Sequence, residues 1–297
     1  MATFAKATFS HTGYAAFRPS YPNTLFDILL AYHQGPKKLL LDLGCGTGVA
    51  SYPLSRRFER VIATDPSAGM IREAQSGLST LKPTKDPIQL SFQQSSAEHS
   101  PFLAQAEIDC VTAAQSAHWF DQSRLWPELQ RIVRKGGTLA FWGYKDHVFP
   151  EFPAASEILQ HYAYDPHPDC LGSYWPQPGR SYVQDKLRVI QPPGEEWEDV
   201  RRMEYEPGLQ GRNSGEGKLL MRRTVTLGQC KEYMRTWSAY HGWKDTHRGM
   251  EARARGGKGD VVDGIFDEIA RKEKHFEKEE NSVYMEWGSA MILARRK

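Results

Sequence analysis

The chain has 297 residues, 40% of them hydrophobic and 25% charged, and a formal net charge of +2 from 38 basic and 36 acidic side chains. This is the composition of an ordinary folded globular protein, and so balanced a charge argues against a nucleic-acid partner, which selects a larger or more polarised basic excess. Four scattered cysteines, Cys45, Cys110, Cys170 and Cys230, form no C-x-x-C pair and adjoin no histidine cluster, which argues against a metal site and a disulfide framework and fits a reducing compartment.

The N-terminal stretch MATFAKATFSHTGYAAFRPSYP has no continuous apolar core before a cleavage site. No apolar run reaches the ~18–20 residues that span a bilayer. A cytoplasmic protein with no membrane partner is expected. Lys38–Leu43 reads as a buried strand, followed by a helix over Val49–Phe58 with Pro53 in its first turn. Val61–Thr64 is a second strand, and Pro66 stands at the start of the next helix, where its fixed φ is already suitable. Gln89–Gln94 and Ile108–Ala113 are the third and fourth strands, so Cys45 and Cys110 lie in apolar segments as buried thiols. Ser123–Val133 is helical by period, Lys135-Gly136-Gly137 turns the chain, and Thr138–Tyr144 is a fifth strand.

Beyond Tyr144 the alternation breaks down. Residues 145–196 are rich in proline yet carry Phe149, Phe152, Tyr162, Tyr164, Tyr174, Trp175 and Tyr182, too aromatic for a disordered linker. Trp197–Glu206 reads as a strand and Gly208–Gly217 as a loop. Thr226 caps a helix over Leu227–Tyr240, and a helix near Val261–Phe276 and a closing strand Val283–Ala294 follow. The expected fold is α/β: one domain over 1–297, with a Rossmann-like, seven-stranded, mostly parallel sheet, helices on both faces and a helical cap. Within it, 1–35 form an N-terminal lid, 36–145 a cofactor-binding core, 146–280 a substrate cap plus one strand, and 281–297 the final strand.

Leu41-Asp42-Leu43-Gly44-Cys45-Gly46-Thr47-Gly48 leaves a strand and opens a helix. Glycines there permit a tight turn and let a ligand approach the backbone. Asp65 ends the second strand 21 residues after Gly44, where a carboxylate can accept both ribose hydroxyls of an adenosine. A dinucleotide fingerprint, G-x-G-x-x-G, fits less well, because Val49, Ala50 and Ser51 follow Gly48.

LDLGCGTG resembles the first motif of the class I methyltransferases, and TDPSAGMI their second. The resemblance implies S-adenosylmethionine as cofactor. Gly44, Cys45 and Gly46 would lie under its methionine part, Asp65 and Pro66 at the ribose, and Met70 near the adenine. Ser96, Ala97 and Glu98 would meet the adenine edge, or form a plain loop. Further stretches resemble a narrower group, the trans-aconitate methyltransferase-like enzymes and their fungal relatives that methylate cantharidin-type compounds: the N-terminal Y-x-x-x-R-P-x-Y-P (Tyr14 to Pro22), the A-Q-x-x-H-W-F-D element (Ala114 to Asp121), Thr236-Trp237-Ser238-Ala239-Tyr240 and Trp287. This implies Tyr14, Arg18, Gln115 and Ser116 at the cofactor, with Tyr21, His118, Trp119, Tyr144, Trp175, Trp237 and Tyr240 around the substrate.

The loop after the fourth strand lies at the carboxyl edge of the sheet, where open α/β folds bind ligands. His118 is either the base for a hydroxyl acceptor or a structural histidine bonded to a carbonyl. Arg18 pairs with the cofactor carboxylate or an acidic substrate, or makes a surface ion pair. The expected activity is methylation of a small molecule, at a carboxylate of a small organic acid or secondary metabolite, by a monomer or weak homodimer. Three rivals stay open: O-, N- or C-methylation of a hydroxyl- or phenol-type compound, a cofactor-binding relative without transfer chemistry, and an RNA- or protein-modifying enzyme.

Overall fold

The computed structural model describes residues 11–79 and 89–297. The elements in chain order begin with α1 (His11–Phe17), α2 (Asn23–Tyr32), β1 (Leu39–Leu43), α3 (Ser51–Leu54), β2 (Arg60–Asp65), α4 (Ala68–Leu78), β3 (Gln89–Gln94) and β4 (Ile108–Ala114). They continue with α5 (Gln122–Ile132), β5 (Val133–Val148), α6 (Pro153–Tyr164), α7 (Gly179–Gln184), β6 (Trp197–Glu206), β7 (Glu216–Gly217) and β8 (Arg222–Thr226). The last are α8 (Leu227–Met234), α9 (Ser238–Thr246), α10 (Val261–Lys272) and β9 (Ser282–Arg296).

The chain divides into two compact units. An α/β unit comprises Ser20–Lys145, Ser181–Glu204 and Ser289–Lys297. In it β1 pairs in parallel with β2 and β4, β2 with β3, and β4 with β5. All five β1 residues are buried, as a central strand covered on both faces requires. A continuous core of Leu41, Leu43, Val111, Phe141, Leu187, Trp197 and Ile292 joins the early strands to the late segments. That is why residues 181–204 and 289–297, distant in sequence, belong here.

The second unit, Met1–Pro19 with Asp146–Arg180 and Tyr205–Gly288, is built on aromatic packing, and we call it the aromatic unit. Buried His147 is surrounded by the rings of Phe149, Tyr233, Trp237 and Trp287 at centroid distances of 5.0–6.0 Å. Beside them β8 runs antiparallel to β9, and α8 is joined to α10 by buried charge: Arg235 donates to both oxygens of Asp260, and Lys231 pairs with Asp263.

Several sequence expectations change. Nine strands occur among the described residues rather than seven, because β7 and β8 lie in stretches too polar to read as strands. The turn expected at Lys135-Gly136-Gly137 is a bulge inside β5: Val133 and Thr138 pair with Ile108 and Cys110, leaving four residues looped out, with Gly136 at φ 72°. The long helix 227–240 is two helices, because Thr236 gives both its hydroxyl and its N–H to the Tyr233 carbonyl and ends α8. Thr226 does cap α8, in a reciprocal capping box with Gln229. The helix expected over 49–58 shrinks to one turn, with Pro53 inside it. Pro66 precedes α4 rather than opening it, since Ser67 is the cap.

Candidate active site

The glycine turn follows β1 with φ of 61° at Gly44, 56° at Gly46 and 85° at Gly48, a left-handed sequence that side chains other than glycine adopt at a cost. Two of these positions are also crowded. A Cβ on Gly44 would stand 2.6 Å from the Ser116 Cβ, and one on Gly48 2.9 Å from the Tyr52 ring. Gly46 differs: a Cβ there would meet nothing within 4 Å, so the backbone faces open space.

Asp65 holds this turn from β2. Its Oδ2 accepts the Gly46 N–H at 2.9 Å and its Oδ1 accepts the Ser67 N–H at 2.8 Å. One carboxylate thereby ties the turn to the start of α4. Below lies Asp42, fully buried, accepting Ser51 Oγ at 2.6 Å and Thr112 Oγ1 at 2.8 Å. Burial pushes its carboxyl up to about 6, against the pull of those two hydroxyls. Asp42 joins β1, the turn's exit helix and β4 at one point. The sequence reading quoted it within the motif but gave it no role.

Cys45 is buried and its N–H donates to Thr64 O at 2.9 Å, while burial raises its thiol well above the ordinary range. It is a packing residue of the turn, contributing backbone. Thr47 adds a buried hydroxyl without a hydrogen-bond partner among the described residues. An adenosine-bearing donor fits what is present: an open backbone cradle at Gly46, a pre-positioned acid at Asp65 and an unsatisfied hydroxyl at Thr47.

The loop after β4 abuts the turn. Ser116 is buried and donates its hydroxyl to Leu43 O at 2.8 Å, and Phe120 lies 3.5 Å from the Cβ position of Gly44. Gln115 has φ 57°, outside the usual range for its type. Its side chain grips the backbone of Tyr144 from both sides, Oε1 accepting the N–H at 2.6 Å and Nε2 donating to the O at 2.7 Å. The amide expected at the cofactor is thus engaged in extending the β4–β5 ladder. Buried Tyr144 faces Tyr21 at 6.4 Å, and Tyr21 packs edge-on against Trp142 and Phe26.

His118 is half-buried with its ring 4.7 Å from that of Trp119, and Trp119 is 40% exposed. Glu98 accepts the Asp121 N–H at 3.0 Å, tying the Ser96–Glu98 loop to the end of the H-W-F-D element. Ala97 and Met70 are buried and Pro66 is exposed.

The remaining candidates belong to the aromatic unit. Tyr14 lies in α1, its side chain outside what the structure describes. Arg18 donates to Thr236 O at 3.1 Å and stands 6.0 Å from the Tyr233 ring centroid. Trp175 and Trp237 are buried neighbours at 5.5 Å, and Trp175 Nε1 donates to Ala163 O at 2.6 Å. Buried Tyr240 gives its hydroxyl to Asp260 at 2.8 Å, at the cap of α10. Among the described residues there is no cluster of three metal-ligating side chains and no helix long and apolar enough to cross a membrane.

Comparison with known proteins agrees with this geometry. Residues 41–141, which span the glycine turn, Asp65 and the loop after β4, match the family model of a methyltransferase domain. A probable S-adenosylmethionine-dependent methyltransferase of Saccharomyces cerevisiae is 28% identical over 99% of this chain and 98% of its own length. An uncharacterized methyltransferase of Mycobacterium tuberculosis is 34% identical over 45% of this chain and 50% of its own. The solved structure assigned as a type II methyltransferase from Anaeromyxobacter dehalogenans is 28% identical, with a TM-score of 0.65 over 94% of this chain and 98% of that one. With the turn and its acid in place, these matches support an S-adenosylmethionine-dependent methyltransferase, residues 41–141 being the stretch that matches the methyltransferase-domain model.

Proposed function

We propose that this methyltransferase acts on a small molecule and methylates an oxygen, a carboxylate of a small organic acid. The observation that supports the reading is the contact of Ser116 and Phe120 with the glycine turn at Gly44, on the same short loop as His118. Gly46 and Asp65 would hold the donor, with the carboxylate on the ribose hydroxyls and the open backbone beneath the methionine portion. Bound S-adenosylmethionine supplies a methyl group on a cationic sulfur, already activated for in-line displacement. The protein is left to align the acceptor and exclude water. Ser116, held to Leu43, and Gln115, held to Tyr144, fix the loop on which this alignment depends.

A carboxylate acceptor is ionised at neutral pH and needs no base, so His118 would orient and desolvate it. A nucleic-acid acceptor is disfavoured by the balanced charge. The test is turnover of methyl-labelled S-adenosylmethionine with a panel of small organic acids set beside matched alcohols and phenols. A labelled, base-hydrolysable ester supports the proposal. Label on the alcohols and phenols alone, or tight cofactor binding with no labelled product, refutes it.

A further inference from the structure

Two strained turns of the α/β unit meet at Gly143. The first is Gln115, whose backbone, at φ 57°, still donates its N–H to Trp142 O at 2.8 Å while its side-chain amide reaches the Tyr144 N–H and O. Ala114 is the last residue of β4 in register with β5, so beyond it a side-chain amide takes the place of a peptide group in the ladder. The second turn is Lys186–Leu187, with φ of 51° and 59°. Consecutive left-handed residues other than glycine persist only where their surroundings hold them. Here the holder is Arg202 of β6, whose guanidinium donates to the carbonyls of Lys186 at 3.2 Å, Leu187 at 3.5 Å and Ile190 at 2.9 Å. Leu187 is thereby fixed, its side chain buried in the same core as Ala117 of the loop after β4.

Gly143 is not among the glycines of positive φ, so its backbone does not demand glycine. Space does. A Cβ on Gly143 would stand 3.0 Å from Gln115 Oε1 and 3.1 Å from Leu187 Cδ1, inside the ~3.5–4.0 Å at which such atoms rest in contact. Neither neighbour is idle. The oxygen accepts the Tyr144 N–H at 2.6 Å, and the leucine is held by its turn. A methyl group at 143 therefore enters only by pushing the amide off Tyr144 or by moving Leu187. His118 follows Gln115 by three residues on the same loop, so a shift of the amide is passed on to it.

We propose that Gly143 and Leu187 are positioning residues of the His118 loop: the missing side chain at 143 is the seat of the Gln115 amide, and Leu187, held by Arg202, keeps that seat from widening. The proposal rests on the function proposed above only in taking this loop as the one that aligns the acceptor. Its test uses the full chain without acceptor, so failure of the carboxylate reading, seen as the absence of a labelled ester, is distinguished from failure here. Hydrogen exchange of the Tyr144 amide reports the clamp, and the His118 ring resonances, identified by their loss in His118→Ala, report the loop. Gln115→Ala and Gly143→Ala should each speed exchange at Tyr144 about tenfold, as for one lost hydrogen bond, and shift the His118 resonances. The double variant should be no faster than either single one, because both changes remove the same contact. Leu187→Ala added to Gly143→Ala gives the methyl room, and should return exchange at Tyr144 to within about threefold of the parent and bring the His118 resonances back. Exchange at Val111, in the middle of β4, should stay at the parent rate in both single variants. An unchanged Tyr144 in Gly143→Ala, additive effects in the double variant, unmoved His118 resonances, or equal acceleration at Val111 overturns the proposal. Failure of Leu187→Ala to restore the clamp removes Leu187 from it, and the Gln115 and Gly143 cycle stands as a test whether or not that variant folds.

Discussion

The two units of this methyltransferase solve different problems with different parts of the chain. In the α/β unit the working groups are backbone: three left-handed glycines, the Gly46 and Ser67 N–H groups, and two carboxylates, Asp65 and Asp42, that hold the backbone in shape. In the aromatic unit they are side chains: the rings packed round His147 and the Arg235–Asp260 pair. A backbone site needs particular residues at fixed spacing, whereas a side-chain site can be assembled from any positions the fold brings together. The first is therefore a motif and the second is not.

The sharpest way to break the comparison is at Asp65. Asp65→Ala removes the acceptor for ribose and releases the turn, so affinity for S-adenosylmethionine should fall about 100-fold or more by calorimetry. A change under threefold would mean that the turn binds without it. In the aromatic unit Arg223→Gln should leave that affinity untouched.

Stability should respond to pH with opposite sign in the two units. Complete burial pushes Asp42 up to about 6, while the unfolded chain releases that proton near the ordinary carboxyl value of about 4. Between these values the folded state binds more protons, so this group's contribution falls as pH rises, by about 3 kcal/mol in all. Desolvation takes His147 down to about 4, against about 6.5 in the unfolded chain. Here the unfolded state binds the extra proton, so stability falls as pH drops through that window, also by about 3 kcal/mol. Melting temperatures measured from pH 4 to 7 on Asp42→Asn should lose the first slope, and on His147→Phe the second. Parallel shifts in the two variants would contradict the assignment.

Smaller effects are expected in the loop after β4. Gln115→Ala removes the double grip on Tyr144 and should lower kcat about tenfold with cofactor affinity within about twofold, since both amide atoms bond the Tyr144 backbone. Restoration by Gln115→Glu is not expected, because a carboxylate cannot donate to Tyr144 O. His118→Ala should cost less than about threefold, with no pH dependence, if the acceptor is a carboxylate. A large loss recovered at high pH would assign a hydroxyl acceptor.

The strands β1 to β4, the glycine turn and Asp65 were legible in the residues alone, because parallel strands buried on both faces read as short apolar runs and a left-handed turn demands glycine. Gln115 was legible as a member of the loop but not as its clamp, since its grip on Tyr144 depends on the β4–β5 pairing and on a positive φ that no composition reveals. β8 was hidden because its exposed face is charged, and the helix break at Thr236 because a hydroxyl competing for a carbonyl leaves no break in the apolar period.

The sequence by itself determined that a donor bearing an adenosine binds here, because backbone conformation is local and its requirements are written in adjacent residues. Only the tertiary structure decided which polar groups are spent and which stand free: Tyr240 on Asp260, Gln115 on Tyr144, and Arg223 on nothing among the described residues. Pairing is a property of neighbours in space. A side chain's chemistry is known from its type, but its availability depends on partners 29 positions away for Gln115 and 20 for Tyr240.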